Sequence, residues 1–226
     1  MRIPLTVLAV SALLFGLMWL LLPAPGPDKL REAPALPWDI QVHADGSSRV
    51  LGVHLGRDTL ADAIRVFGPT EGVAVFDTAD GKTSLEAYFG TVNFGPLRAK
   101  VVAKLDIEAA ELAALRDQAP KREPARSGAW RADLTSEAVA AQLQRTLIGL
   151  TYIPTYGGLE PEFFEQRFGA PAEKQIIKAE VEQWRYPERG LIIVLDPRGK
   201  EILEYQLPAA MTDSSTAVSA KSPAAP

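Results

Sequence analysis

The chain has 226 residues, 47% hydrophobic and 23% charged, with a formal net charge of −4. That balance creates no field that would draw the whole chain to nucleic acid, so no nucleic-acid partner is expected. Cysteine is absent, which excludes disulfides, thiolate chemistry, Cys-based zinc sites and lipidation on Cys.

The first element is apolar. Ile3 to Leu22 reads IPLTVLAVSALLFGLMWLLL without a charge. A helix of that length rises about 30 Å, the thickness of a bilayer's hydrocarbon layer. Residues 1–22 are therefore expected to form a transmembrane anchor, with Trp19 at an interfacial depth. The rival is a cleaved signal peptide, whose apolar region usually spans roughly 7–15 residues. The greater length here and the flank Pro23-Ala24-Pro25-Gly26-Pro27 favour the uncleaved anchor. Arg2 precedes the segment while Lys29 and Arg31 follow it, so the charge count alone leaves orientation nearly balanced. The short basic tail before it and the long domain after it favour a single pass through a bacterial inner membrane, with the domain in the periplasm. Residues 23–37, PAPGPDKLREAPALP, are rich in proline and expected to act as a semi-rigid stalk.

A folded region then begins near Trp38. Ile40 and Val42 alternate with polar residues, Asp45-Gly46 turns the chain, and Val50 resumes the alternation, which predicts a hairpin. In GRDTLADAIRVFGP, Thr59 can cap a helix with Asp62 in the reciprocal position. Leu60, Ala63, Ile64 and Phe67 mark one buried stripe, and Gly68-Pro69 stops the helix. Strands are expected at Val73–Phe76, around Leu85, Ala87 and Phe89, and most clearly at Leu97–Leu105. In that last run Arg98, Lys100 and Lys104 alternate with apolar residues, the pattern of a strand with one wet face. Residues 107–118 favour a helix, and the basic, Pro-rich residues 119–132 are expected to be a surface loop. Asp133 or Thr135 can cap a further helix with Val139, Leu143 and Leu147 on one side. A second helix with Pro161 in its first turn and Phe164 and Phe168 as its stripe ends at Gly169. Strands follow around Gln175–Lys178, Val181–Tyr186, Leu191–Leu195 and Ile202–Leu207. Residues 209–226 are small, polar and patternless, and expected to be disordered.

The second half restates the first. Gly56 and Phe67-Gly68-Pro69 recur at Gly157 and Phe168-Gly169-Ala170-Pro171 with the same separation. The expected fold class is thus α+β: two tandem repeats of a helix followed by an antiparallel β-meander, spanning 38–118 and 133–208. Their helices would pack on one sheet face, with one transmembrane helix in front. Over residues 50–105 and 150–207 the F-G-P and F-G-x-P endings resemble small outer-membrane-assembly lipoproteins of the SmpA/OmlA type. Two such units in tandem resemble the β-lactamase inhibitor protein fold, and the whole chain resembles single-pass envelope proteins of Gram-negative bacteria. The missing lipidation cysteine departs from the lipoprotein pattern; an inner-membrane anchor would replace the lipid. The resemblance to the inhibitor fold implies a concave sheet face that grips a partner.

No catalytic constellation stands out. His43 and His54 share the first hairpin and with Asp45 offer at most a weak metal set, since no third ligand has diagnostic spacing. There is no nucleophile elbow and no phosphate-binding loop. The chain is therefore expected to be non-enzymatic, without a cofactor or resident metal. If Leu85, Ala87, Phe89 and the apolar positions of Leu97–Leu105 face the helices, then Glu86, Tyr88, Arg98, Lys100 and Lys104 share the open face. That set is the candidate partner-binding face. Trp184 and Tyr186 would either extend it or lie in the core. Lys121, Arg122, Arg126 and Arg131 fit either a headgroup contact or a solvated loop. The expected function is a membrane-anchored scaffold or accessory module binding another envelope protein. The alternative is a small-ligand or lipid-binding domain with its site in the crevice between repeats.

Overall fold

The computed structural model describes residues 35–78, 81–125 and 128–211. The expected anchor at 1–22, most of the stalk and most of the tail lie outside the described residues.

Short strands β1 (Gln41–Val42), β2 (Ser48–Val50) and β3 (Val53–Leu55) form a small antiparallel sheet. Helix α1 (Leu60–Phe67) follows. Its first turn is closed by a reciprocal pair: the Asp62 N–H donates to Thr59 Oγ1, and the Thr59 N–H donates to the Asp62 carboxylate. The Thr59 hydroxyl also donates to the Asp62 carboxylate at 2.6 Å, and this bond first, with that from the Thr59 N–H, holds the Asp62 carboxyl below its usual range. The helix ends on Gly68 at φ +93° and ψ −177°, a backbone region that is essentially glycine's alone.

Strands β4 (Gly72–Asp77), β5 (Thr83–Phe94) and β6 (Leu97–Leu105) then run as an antiparallel meander. After α2 (Ala109–Gln118), β7 (Arg122–Pro124) and β8 (Trp130–Asp133) form a hairpin that adds to β4. A short α3 (Ser136–Ala141) leads to β9 (Leu147–Pro154). Helix α4 (Pro161–Phe168) ends on Gly169, at φ +81° and ψ −171°. The chain closes through β10 (Glu173–Lys178), β11 (Val181–Tyr186), β12 (Leu191–Leu195) and β13 (Ile202–Gln206).

These strands correct the expected fold class. Two separate helix-plus-meander repeats are not what forms among the described residues. The described chain is mostly antiparallel β-structure, in one ten-stranded sheet of order β10-β11-β12-β13-β9-β6-β5-β4-β8-β7. No helix among the described residues is long and apolar enough to cross a membrane. The physical reason is β9, which pairs with β6 on one side and β13 on the other, so the two halves share one continuous ladder. Leu143 and Leu147, four residues apart, imitate a helical stripe, but α3 stops at Ala141 and Leu147 already belongs to β9. The basic stretch expected to be a surface loop also carries two strands, β7 and β8, at the sheet's edge.

The core lies on one face of this sheet. Phe67 of α1 meets Phe89 and Phe94 edge-on at 5.2 and 6.0 Å between ring centroids. On α4, Phe168 meets Tyr186 at 5.7 Å, and Phe164 is fully buried. Leu112 and Leu115 of α2 join the same cluster. The Tyr205 hydroxyl, buried in the core, donates to the carbonyl of Pro37 at 2.8 Å and ties the start of the described chain to β13.

Candidate binding face

Strand register decides which side chains share the other face, because directly paired residues project to the same side. Glu86 pairs with Lys104 and Tyr88 with Val102, while Lys100 pairs with Thr91 and Arg98 with Asn93. The five residues singled out from the sequence therefore stand together, opposite the buried Leu85, Ala87, Val101 and Ala103. Arg98, Lys100 and Lys104 are exposed; Glu86 and Tyr88 are half-buried. Ser84 Oγ donates to Glu86 Oε1 at 2.7 Å, which orients that carboxylate.

The face extends well beyond these residues. From Tyr88 one row passes through Val102, Thr151, Glu204 and Ile192 to Arg185, crossing six strands by direct pairing. An open groove of about 270 Å³ lies at the Tyr88 end, walled by Phe76, Glu86, Tyr88, Val102 and Arg131. A second, of about 340 Å³, lies beside Lys104, Thr151 and Glu204. Burial raises the Glu204 pKa, and the negative charge of Glu86 adds to the shift; Lys104 and Lys82 oppose it.

Sequence reasoning missed Phe76, Thr151, Ile192 and Glu204. Phe76 joins the face through the β4–β5 pairing, whereas only the β6–β9–β13–β12 pairing brings Thr151, Glu204 and Ile192 into the row of Tyr88. Trp184 and Tyr186 fall on the packed face instead, at 2% and 5% exposure. There the Trp184 indole N–H donates to Glu182 Oε2 at 2.7 Å and the Tyr186 hydroxyl to the Gly169 carbonyl at 3.1 Å.

His43 and His54 do approach, with ring centroids 5.7 Å apart. Asp45, however, is engaged by Arg57 at 2.6 Å and by Ser47. Their hydrogen bonds, Ser47 foremost, hold its carboxyl far below the usual range. Among the described residues no three His, Cys, Asp or Glu groups are placed to hold a metal ion. The basic run is largely paired: Lys121 with Glu123 at 2.5 Å, Arg122 with Asp77 at 2.8 Å, and Arg131 with Asp133 at 2.6 Å. Arg122 also lies over the Trp130 ring. Arg126 lies outside the described residues.

No protein-family model, no curated protein and no solved structure matches this chain. The likeness to outer-membrane-assembly lipoproteins therefore rests on the two Phe-Gly motifs and their surroundings.

Proposed function

We propose that this chain is a non-catalytic accessory module that docks another envelope protein on the uncovered face of its sheet. One observation carries the reading: half-buried Phe76, Tyr88 and Val102 line the open face, flanked by exposed Arg98, Lys100 and Lys104. An aromatic and aliphatic strip with a cationic flank suits an acidic partner surface that brings its own apolar contacts. The apolar segment Ile3–Leu22 supports an anchor in the bacterial inner membrane with the domain in the periplasm. The resemblance to outer-membrane-assembly lipoproteins points to the same compartment.

Reversing two charges tests this. Arg98→Glu with Lys100→Glu leaves the fold intact, because exposed substitutions usually cost within about 0.5 kcal/mol. Capture of the partner from native membranes should fall, and the loss should be larger at low salt, where the charges are least screened. Unchanged yield of the same partners from the folded double variant would contradict the docking role.

A further inference from the structure

A third recess lies where α4 begins. It is a cleft of about 380 Å³ between the Gly158-Leu159 loop, the end of β12 and the turn before β13. Every charged side chain lining it is acidic: Glu160, Glu180, Glu182, Asp196 and Glu201, five carboxylates in all. Leu195 and Pro197 supply apolar wall.

Glu201 is the unusual member. It is only 5% exposed. Its Oε1 accepts the backbone N–H groups of Gly158 at 3.0 Å and Leu159 at 2.9 Å. Its Oε2 is buried and has no hydrogen-bond partner. A buried carboxylate oxygen left without a donor is costly, more so than a neutral acceptor. The neighbouring Lys200 does not supply the donor, because its ammonium is turned onto the carbonyls of Pro154 and Thr155 at 3.0 and 2.5 Å. Arg198 reaches only the outer Glu180, at 3.9 Å, with both side chains 72% exposed. The N-terminus of α4 offsets about half a charge, far short of five carboxylates.

We propose that this cleft binds an aliphatic polyammonium ion, with one ammonium donating to Glu201 Oε2. An ammonium provides the missing donor and the missing positive charge together. Carboxylates spread around the wall, rather than converging on one point, suit a cation with charges at intervals along a methylene chain. Leu195 and Pro197 can cover that chain. A bare metal ion fits poorly, since no three acidic or imidazole groups among the described residues are placed to hold one.

The probe is butane-1,4-diamine, titrated into the full chain at fixed ionic strength and followed calorimetrically and by amide NMR. Saturable binding is expected, with the Gly158 and Leu159 amides among the most shifted signals, because they share the Glu201 carboxylate with the ligand. Glu201→Gln keeps an acceptor for those two amides but removes the anionic oxygen. It should weaken binding by roughly tenfold or more. Glu180→Gln, at the exposed rim, should weaken it less. Three results would overturn the proposal: no saturable binding at millimolar diamine, equal binding by Glu201→Gln, or magnesium displacing the diamine as effectively as a second polyamine does. If Glu201→Gln does not fold, the wild-type amide shifts still decide, since a response centred away from Gly158 and Leu159 contradicts the site.

Discussion

The two faces of the ten-stranded sheet are built from the same strands, yet they do different things. On one, Tyr152, Tyr205, Trp184, Ile193 and Leu85 are at most 2% exposed, and α1, α2 and α4 pack their apolar stripes over them. On the other, the alternate positions of the same strands carry Tyr88, Thr151, Glu204, Lys100 and Lys104, and only the short helical turn at 208–211, through Ala210, borders the groove beside Lys104 and Glu204. A face needed only for solubility would not keep Tyr88 and Val102 paired between its charges. The difference teaches that stability is concentrated on the packed face, which leaves the open face free to vary its chemistry.

Breaking the packed face should have the largest effect. Phe164 is 1% exposed beneath α4, and Phe164→Ala is expected to destabilise the domain by about 3–5 kcal/mol through lost burial and the cavity left behind. Tyr88→Ala, on the half-buried open face, should cost clearly less. Denaturant unfolding of both variants sharpens the contrast, and equal losses would mean that the open face is packed too.

The helix stops that hold α1 and α4 against the core come next. Gly68 and Gly169 both sit at positive φ with extended ψ. An added Cβ would meet nothing within 4 Å at either position, so the cost is backbone strain alone. Gly68→Ala and Gly169→Ala should each lower stability by about 1–3 kcal/mol. Similar values at both sites are expected, since the two helices end in nearly the same conformation.

Glu204 gives the smallest effect and the one with a pH signature. Burial first, and the Glu86 charge second, raise its pKa above the ordinary 4.5. Folding therefore favours the protonated carboxyl. Its contribution is complete below the ordinary value and is lost as pH rises through the folded value. Glu204→Gln should accordingly raise the melting temperature relative to wild type near pH ~7, with the gap closing near pH ~4. A gap that persists unchanged at acid pH would contradict this assignment.

Much of the local structure was legible in the sequence. Thr59 with Asp62, the Leu60–Ala63–Phe67 spacing and Gly68 define α1, and strict alternation defines β6 and places Arg98, Lys100 and Lys104 on one face. Both signals are local, and physical chemistry within a few residues dictates them. The sheet as a whole was not legible. Pairing of β6 with β9 and of β4 with β8 joins segments far apart in sequence, and nothing in either segment names its neighbour. The edge strand β7 was hidden because it is Arg122-Glu123-Pro124, charged residues and a proline, as befits an edge that must not recruit another strand. The candidate face was half legible for the same reason: Glu86 and Tyr88 lie one turn of chain from β6, whereas Thr151, Glu204 and Ile192 arrive through long-range register.

The most direct test of the docking claim compares the two sides of the molecule in the native membrane. A photocrosslinking amino acid is placed at Tyr88, on the open face, and in a second protein at Gln166, exposed on α4 over the packed face. A discrete adduct with an envelope protein from Tyr88 and none from Gln166 is the expected result. Adducts of equal yield at both positions, or none at Tyr88, would contradict it.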